Sequence, residues 1–306
     1  MNNGFVFACN STFYSGLLIT VKSLLKYNPT AKIEVLDTGL DQEQVNELES
    51  HDIRVIDIKE KLKAHFHNKR DWHSDFSVYG SLFIDESSFD NIIFCDSDLL
   101  ILSDMSQYFK CIEKYKVVAT KENSINCYFN PRFSYPLRRY VTKKGQQELD
   151  NMYLEINWDY TTFNSGFWGI QKSYYKELKD KYWHLLMSLE TEFTYHDQTF
   201  INLALCLDNQ CYYDAGFGYN AVNIGTVNMY KTAKRYVKYL WYKLTNNSYV
   251  INGENVSYKK TPIKVLHWTG GDKPFLKNKD KLFGGVFLSG EDLCNQIYKP
   301  LRLMAC

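Results

Sequence analysis

Residues 4–58 read GFVFACNSTFYSGLLITVKSLLKYNPTAKIEVLDTGLDQEQVNELESHDIRVIDI, and their pattern decides the fold. Gly4 to Cys9, Lys32 to Leu36 and Asp52 to Ile58 are short apolar runs of strand length. Between the first two, Leu17, Leu18, Val21, Leu24 and Leu25 share one helical face, and Asn28-Pro29 ends the helix. Between the second and third, Asp41 to Ser50 reads as a polar helix. This β-α-β-α-β order predicts a parallel sheet wound right-handedly. Ligands on such sheets gather beyond the carboxyl ends of the strands. Cys9-Asn10-Ser11-Thr12 stands at such an end.

A second strand end carries the most informative chemistry. The run Asp90-Asn91-Ile92-Ile93-Phe94-Cys95-Asp96-Ser97-Asp98-Leu99-Leu100-Ile101-Leu102 sets two carboxylates one residue apart between apolar runs. Period-two spacing throws Asp96 and Asp98 to the same side of an extended backbone. Aligned carboxylates at the end of a buried strand are costly unless a cation or strong donors satisfy them. One reading is a hard divalent metal carrying a phosphate-containing ligand. The other is an ordinary Asp-Ser-Asp turn.

Further along, residues 76–88 read as a helix leading to the acidic strand, and Val117-Val118-Ala119-Thr120 as another strand. Residues 121–160, with Arg132, Arg138, Arg139, Lys143 and Lys144, form either an excursion over the ligand edge or a solvated hairpin or helix. Phe163-Asn164-Ser165-Gly166-Phe167-Trp168-Gly169-Ile170 is a strand interrupted by small residues, which often marks close backbone approach. A helix follows from Lys172 to about Leu189. His196-Asp197-Gln198 opens a further helix, where Asp197 could serve only as a helix-start charge. Tyr230 to Leu244 is basic and aromatic at helical spacing. It is a snorkelling surface helix or an acceptor or membrane-surface contact. Lys264 to His267 is the last strand, before the loop Trp268 to Phe275.

With a formal net charge of +1, nothing in the chain calls for a nucleic-acid partner. The 24 tyrosines, 19 phenylalanines and 6 tryptophans divide between a bulky core and a groove whose aromatic faces hold sugars or bases. The 8 cysteines show neither metal-finger spacing nor a compact disulfide grid. Cys9, Cys95, Cys206 and Cys211 sit in or beside apolar runs, as expected of a reducing compartment. No signal peptide or membrane span is legible, so the expected location is cytoplasmic.

Five segments in this order resemble the family 8 glycosyltransferases, the group of glycogenin and the bacterial lipopolysaccharide galactosyl- and glucosyltransferases. They are Phe7-Ala8-Cys9-Asn10 with its helix, Asp96-Ser97-Asp98, Phe163-Asn164-Ser165-Gly166, Asp197-Gln198, and His267-Trp268-Thr269-Gly270-Gly271-Asp272-Lys273-Pro274. The resemblance implies an α/β GT-A fold with a mostly parallel central sheet. It implies a catalytic domain over residues 1–275 and an extension over 276–306 packed on it. It also implies transfer of a hexose from UDP-glucose or UDP-galactose, with retained anomeric configuration, to a glycan, glycolipid or protein acceptor.

Residue by residue, the resemblance makes Asp96, Asp98 and His267 the metal ligands. Two carboxylates and an imidazole suit manganese better than calcium or magnesium, and magnesium remains an alternative occupant. Gly270 gives backbone access to the diphosphate, and Lys273 supplies a point charge. Phe7, Ala8, Cys9, Asn10 and Phe13 match the uracil and ribose positions, with Phe13 where an aromatic stacks on the base. Ser97 completes the acidic turn. Asn164, Ser165 and Gly166 match the segment facing the donor sugar, and Asp197 and Gln198 the pair gripping it nearest the reacting carbon.

One departure stands out. Where relatives carry arginine or lysine, Tyr79-Gly80-Ser81-Leu82 places Ser81, with Lys69 or Arg70 as candidate substitutes. That departure keeps open a donor-binding module without transfer activity. A glycogenin-like self-glycosylating protein is a variant of the transferase reading. A nucleotidyltransferase usually has a basic, glycine-rich loop after the first strand, and Asn10-Ser11-Thr12-Phe13 is neither. Peripheral membrane contact is an expectation from Tyr230 to Leu244, and oligomeric state is left open.

Overall fold

The computed structural model describes residues 1–66, 76–122, 135–152, 155–222, 249–252, 255–258 and 261–267. In chain order the strands are β1 Asn3–Asn10, β2 Ile33–Gly39, β3 Arg54–Asp57, β4 Asn91–Cys95, β5 Leu99–Ile101, β6 Val117–Lys121, β7 Phe163–Gln171, β8 Tyr213–Asp214, β9 Ala221–Val222, β10 Tyr249–Asn252, β11 Asn255–Tyr258, β12 Thr261–Pro262 and β13 Val265–His267. The helices are α1 Tyr14–Tyr27, α2 Gln42–Ser50, α3 Lys59–Phe66, α4 Ser106–Tyr115, α5 Lys143–Met152, α6 Lys172–Ser188 and α7 His196–Leu207. They group into two compact units. The first holds Met1–Ser11, Lys32–Asp96 and Met105–Gly216; the second holds Thr12–Ala31, Ser97–Asp104 and the described residues from Phe217 onward.

The first unit is built on the expected sheet, ordered β3-β2-β1-β4-β7-β6-β8. β3, β2, β1 and β4 pair in parallel. β7 runs antiparallel to both β4 and β6. This reversal matters for function. It brings the start of β7 to the edge where β4 ends, so Cys95 faces Phe167 across the ladder.

One face of this sheet buries Val6, Leu36, Phe94 and Trp168 against Leu178, Leu186, Phe200 and Leu203 of α6 and α7. On the other, Tyr108 of α4 meets Phe167 edge-on, with ring centroids 5.2 Å apart. α4 also lies against Gly169, where a Cβ would come within 2.4 Å of Ile112 Cδ1. Close approach at the small residues of this strand is therefore realised at Gly169. α2 begins one residue later than its acidic start suggests, because Asp41 is the N-cap of a complete capping box with Gln44.

The helix expected over residues 76–88 is instead a 3-10 run, Phe76–Glu86, kinked at Phe83. Its tight packing explains the difference. A Cβ at Gly80 would sit 2.3 Å from Ala8 Cβ, so the segment is pressed onto β1.

In the second unit, β5-β13-β9 form a small sheet and β10-β11-β12 another. β5 pairs antiparallel with β13. On β5 the buried helix α1 also acts through side chains. Thr20 Oγ1 donates to Leu99 O at 2.9 Å and accepts from Leu99 N at 3.2 Å. Ser23 Oγ accepts from Ile101 N at 3.0 Å. Hydroxyls thus take the place of a neighbouring strand.

Candidate functional site

Asp96 follows β4 directly, and its N–H donates to Gly166 O at 2.8 Å. The antiparallel course of β7 makes that bond possible. It also sets Asn164, Ser165 and Gly166 beside Asp96. α7 enters the same edge at its N-terminus. There Gln198 Oε1 accepts from Asn164 Nδ2 at 3.1 Å and from Ser165 N at 3.2 Å. Gln198 Nε2 donates to Glu122 Oε2 at 3.0 Å, just past the end of β6. With donors on its oxygen and an acceptor on its nitrogen, the amide has one orientation. Asn202, one turn further on α7, is buried and bonds both N–H and C=O of Phe163 at 2.9 and 3.0 Å.

Asp197 meets Ser81, whose hydroxyl donates to Asp197 Oδ2 at 2.5 Å. Ser81 itself is buried. Withdrawal from solvent pushes the Asp197 carboxyl up to about 7; the Ser81 hydrogen bond pulls it down and the Asp96 charge raises it further. Ser81, singled out in the sequence as a departure, is thus a neutral donor aimed at this carboxylate. Lys69 and Arg70 lie outside the described residues.

In the second unit, Asp98 and His267 are both buried, and His267 Nε2 lies 3.3 Å from Asp98 Oδ1. The other ring nitrogen, Nδ1, is 3.0 Å from Asn220 Oδ1. An amide oxygen only accepts, so the ring proton belongs on Nδ1. The Nε2 lone pair of a neutral imidazole then points at a carboxylate oxygen, an arrangement that needs a cation between them or a second ring proton. Fixing one ring nitrogen to leave the other as a ligand is the usual support of a metal-binding histidine. Asp96, two residues ahead of Asp98 in the chain, offers a further carboxylate. Two hard oxygens with one imidazole form a donor set that fits a divalent transition metal.

The remaining expected site residues divide by exposure. Phe7 and Cys9 of β1, Ser97, Ser165 and Gln198 are buried, whereas Ala8, Asn10, Phe13 and Asn164 are half-buried. Gly270, Lys273 and the Tyr230 to Leu244 stretch lie outside the described residues. Two participants escaped the sequence reading. Glu122 stands at the end of an expected strand, so the strand-end rule could have flagged it. Asn220 had no signal, since β9 is two residues long and 47 positions separate Asn220 from His267.

A mostly parallel sheet flanked by helices, with Asp96 at the end of β4, defines an α/β protein of the GT-A fold class. Residues 5–279 match the family described as glycosyl transferase family 8, and the chain belongs to that family. Among solved structures it is similar to the galactosyltransferase LgtC in complex with donor and acceptor sugar analogs. That match has 18% identity and a TM-score of 0.60, over 98% of this chain and 95% of the other. It is also similar to apo GlyE of Streptococcus pneumoniae, with 16% identity and a TM-score of 0.53, over 98% of this chain and 63% of the other. Mouse xyloside xylosyltransferase 1 matches with 11% identity and a TM-score of 0.52, over 90% of this chain and 99% of the other. These likenesses share the GT-A fold. A search of curated proteins found no match. Among the described residues, no helix is long and apolar enough to cross a membrane.

Proposed function

We propose that the protein transfers a hexose from UDP-glucose or UDP-galactose to a glycan or glycolipid acceptor, with retention at the anomeric carbon. The observation that carries this reading is the buried imidazole of His267, tied by Asn220 and directed at Asp98. Asp96, Asp98 and His267 would hold the metal. Bound manganese, or magnesium in its place, supplies Lewis-acid neutralisation of charge on the departing diphosphate. Gly270 and Lys273 would add backbone access and a positive charge to the same group.

Asp197 orients sugar hydroxyls, and Gln198 faces the anomeric carbon. An amide whose ends are held by Asn164, Ser165 and Glu122 is a positioning group and a poor nucleophile. The acceptor hydroxyl therefore attacks on the face from which UDP leaves. The bond from the anomeric carbon to the acceptor oxygen forms as the bond to the UDP oxygen breaks, and the acceptor proton passes to the departing diphosphate. Asn10 and Phe13 receive the nucleoside, together with the buried walls Phe7, Ala8 and Cys9. Buried thiols at Cys9, Cys95 and Cys206 suit a reducing, cytoplasmic location. Membrane contact through residues 230–244, a catalytic domain over 1–275 and an extension over 276–306 belong to the same proposal.

The test is UDP release from UDP-glucose and UDP-galactose, with and without manganese, alongside a thermal-shift panel of nucleotides. Manganese-dependent release with either sugar supports transfer. Stabilisation by UDP-sugar without release, across a panel of glycan acceptors, favours a donor-binding module. Manganese-independent behaviour in both assays overturns the reading.

A further inference from the structure

Asp197 and Gln198 are preceded by a residue in an uncommon conformation. His196 has φ +26°, a region that L side chains rarely adopt. Such a backbone persists only where its surroundings fix it. Here they do so through the ring. His196 Nδ1 is 2.7 Å from the hydroxyl of Tyr79, and the same hydroxyl donates to Glu190 Oε1 at 2.6 Å. Tyr79 and Glu190 are both buried. The phenol has one proton, and the carboxylate takes it, so the imidazole must carry its proton on Nδ1 and donate to the phenol oxygen. Phe66 stacks on the Tyr79 ring with centroids 3.9 Å apart, which fixes the ring plane.

Tyr79 and Ser81 are two residues apart on the 3-10 run, and they hold two successive residues of α7. Tyr79 holds His196, and Ser81 holds Asp197. Gly80 between them is pressed onto β1, so the run has little room to shift. We infer that Tyr79, Glu190 and His196 form a positioning network for the first turn of α7. The network keeps Asp197 and Gln198 aimed at the donor sugar. The inference rests on the proposed reading that these two residues face that sugar. It assigns to Tyr79 and His196 no contact with the sugar itself.

Three variants test it. Tyr79→Phe keeps the ring that Phe66 covers and removes the hydroxyl. His196→Gly accepts the positive φ without strain but cuts the tether. His196→Asn tolerates that backbone and places an amide nitrogen close to where Nδ1 stood. With UDP-glucose and UDP-galactose as probes, Tyr79→Phe and His196→Gly are expected to lower kcat for UDP release by about tenfold to a hundredfold, the scale of small misplacements at a reacting centre. Affinity for UDP alone should stay within about twofold, because the nucleotide is held elsewhere. His196→Asn should recover most of kcat.

If Tyr79→Phe and His196→Gly lose thermal stability while kcat and KM match the wild type, the network is structural only and the inference fails. A crystal structure of Tyr79→Phe gives a readout independent of turnover. Displacement of Asp197 from Ser81, or of the Gln198 amide from Asn164, is expected. An unmoved first turn overturns the inference whatever the donor. Wild-type protein inert toward both donors, with a displaced first turn in Tyr79→Phe, counts against the proposed function and leaves the network standing.

Discussion

His267 shows how one neighbour decides the chemistry of a residue. Asn220 accepts from Nδ1 and leaves Nε2 directed at Asp98. Removing that acceptor frees the ring to rotate and to change tautomer. Asn220→Ala is therefore expected to weaken manganese affinity by about tenfold to a hundredfold, the usual scale for a partner behind a metal ligand. Calorimetric titration of the metal checks this, with Asp98→Asn as the variant that should lose binding altogether. Asp197 gives a second residue-scale expectation. Its carboxyl is raised to about 7 in the folded protein from an ordinary value of 3.8. Between those values the native state holds a proton that the unfolded chain has released, so stability falls as pH rises through this window and levels off above it. Urea denaturation from pH 4 to 8 should show the decline, and Asp197→Asn should flatten it. Manganese beside Asp96 offsets one of the charges that raise Asp197, so the slope should also be shallower in its presence.

The elements that carry these residues are fixed by side chains acting as backbone partners. Thr20 satisfies both polar groups of Leu99, next to Asp98, from within a helix. Thr20→Val keeps the shape and removes both bonds, leaving a buried N–H and C=O unpaired. We expect a loss of about 1–3 kcal/mol per orphaned group at most. Equilibrium urea unfolding measures it, and a loss below about 0.5 kcal/mol would show that other partners replace the hydroxyl. Bonds of this kind are hard to read from sequence, because Thr20 also fits the apolar face of α1 by size. The strands and helices of residues 4–58 were legible, since their apolar runs differ in length and period. α3 and α4 were not picked out. Each buries only two side chains, Leu62 with Phe66 and Tyr108 with Ile112, which makes a thin stripe. The direction of β7 was illegible for another reason. It depends on the route taken between β6 and β7 and not on the strand's composition. The acidic pair, the late histidine and the Asn164 to Gly166 segment could be read as motifs. Asn220 could not, because it meets His267 across 47 positions, nor could Glu190, which reaches Tyr79 across 111.

At the scale of the whole chain, neither compact unit is a continuous stretch. The second takes Thr12–Ala31 and Ser97–Asp104 from within the first half of the sequence and joins them to residues after Phe217. Its small sheet needs both contributions, since β5 has β13 as its strand partner and β13 in turn pairs with β9. Cutting the chain after Gly216 would remove β9 and β13 together. Leu99, Leu100 and Ile101, all buried in the intact protein, would then lose the strand that covers their antiparallel edge. The hydroxyls of Thr20 and Ser23 would still face β5, but two side-chain contacts cannot stand in for a sheet. A fragment of residues 1–216 should therefore expose apolar surface around α1 and β5 even though its larger sheet keeps every strand. We expect it to bind the dye ANS far more strongly than the full chain and to aggregate. It should also lack manganese binding, because His267 is gone. A monomeric fragment with a sharp melting transition and no dye binding would show that α1 and the acidic turn fold without the later strands.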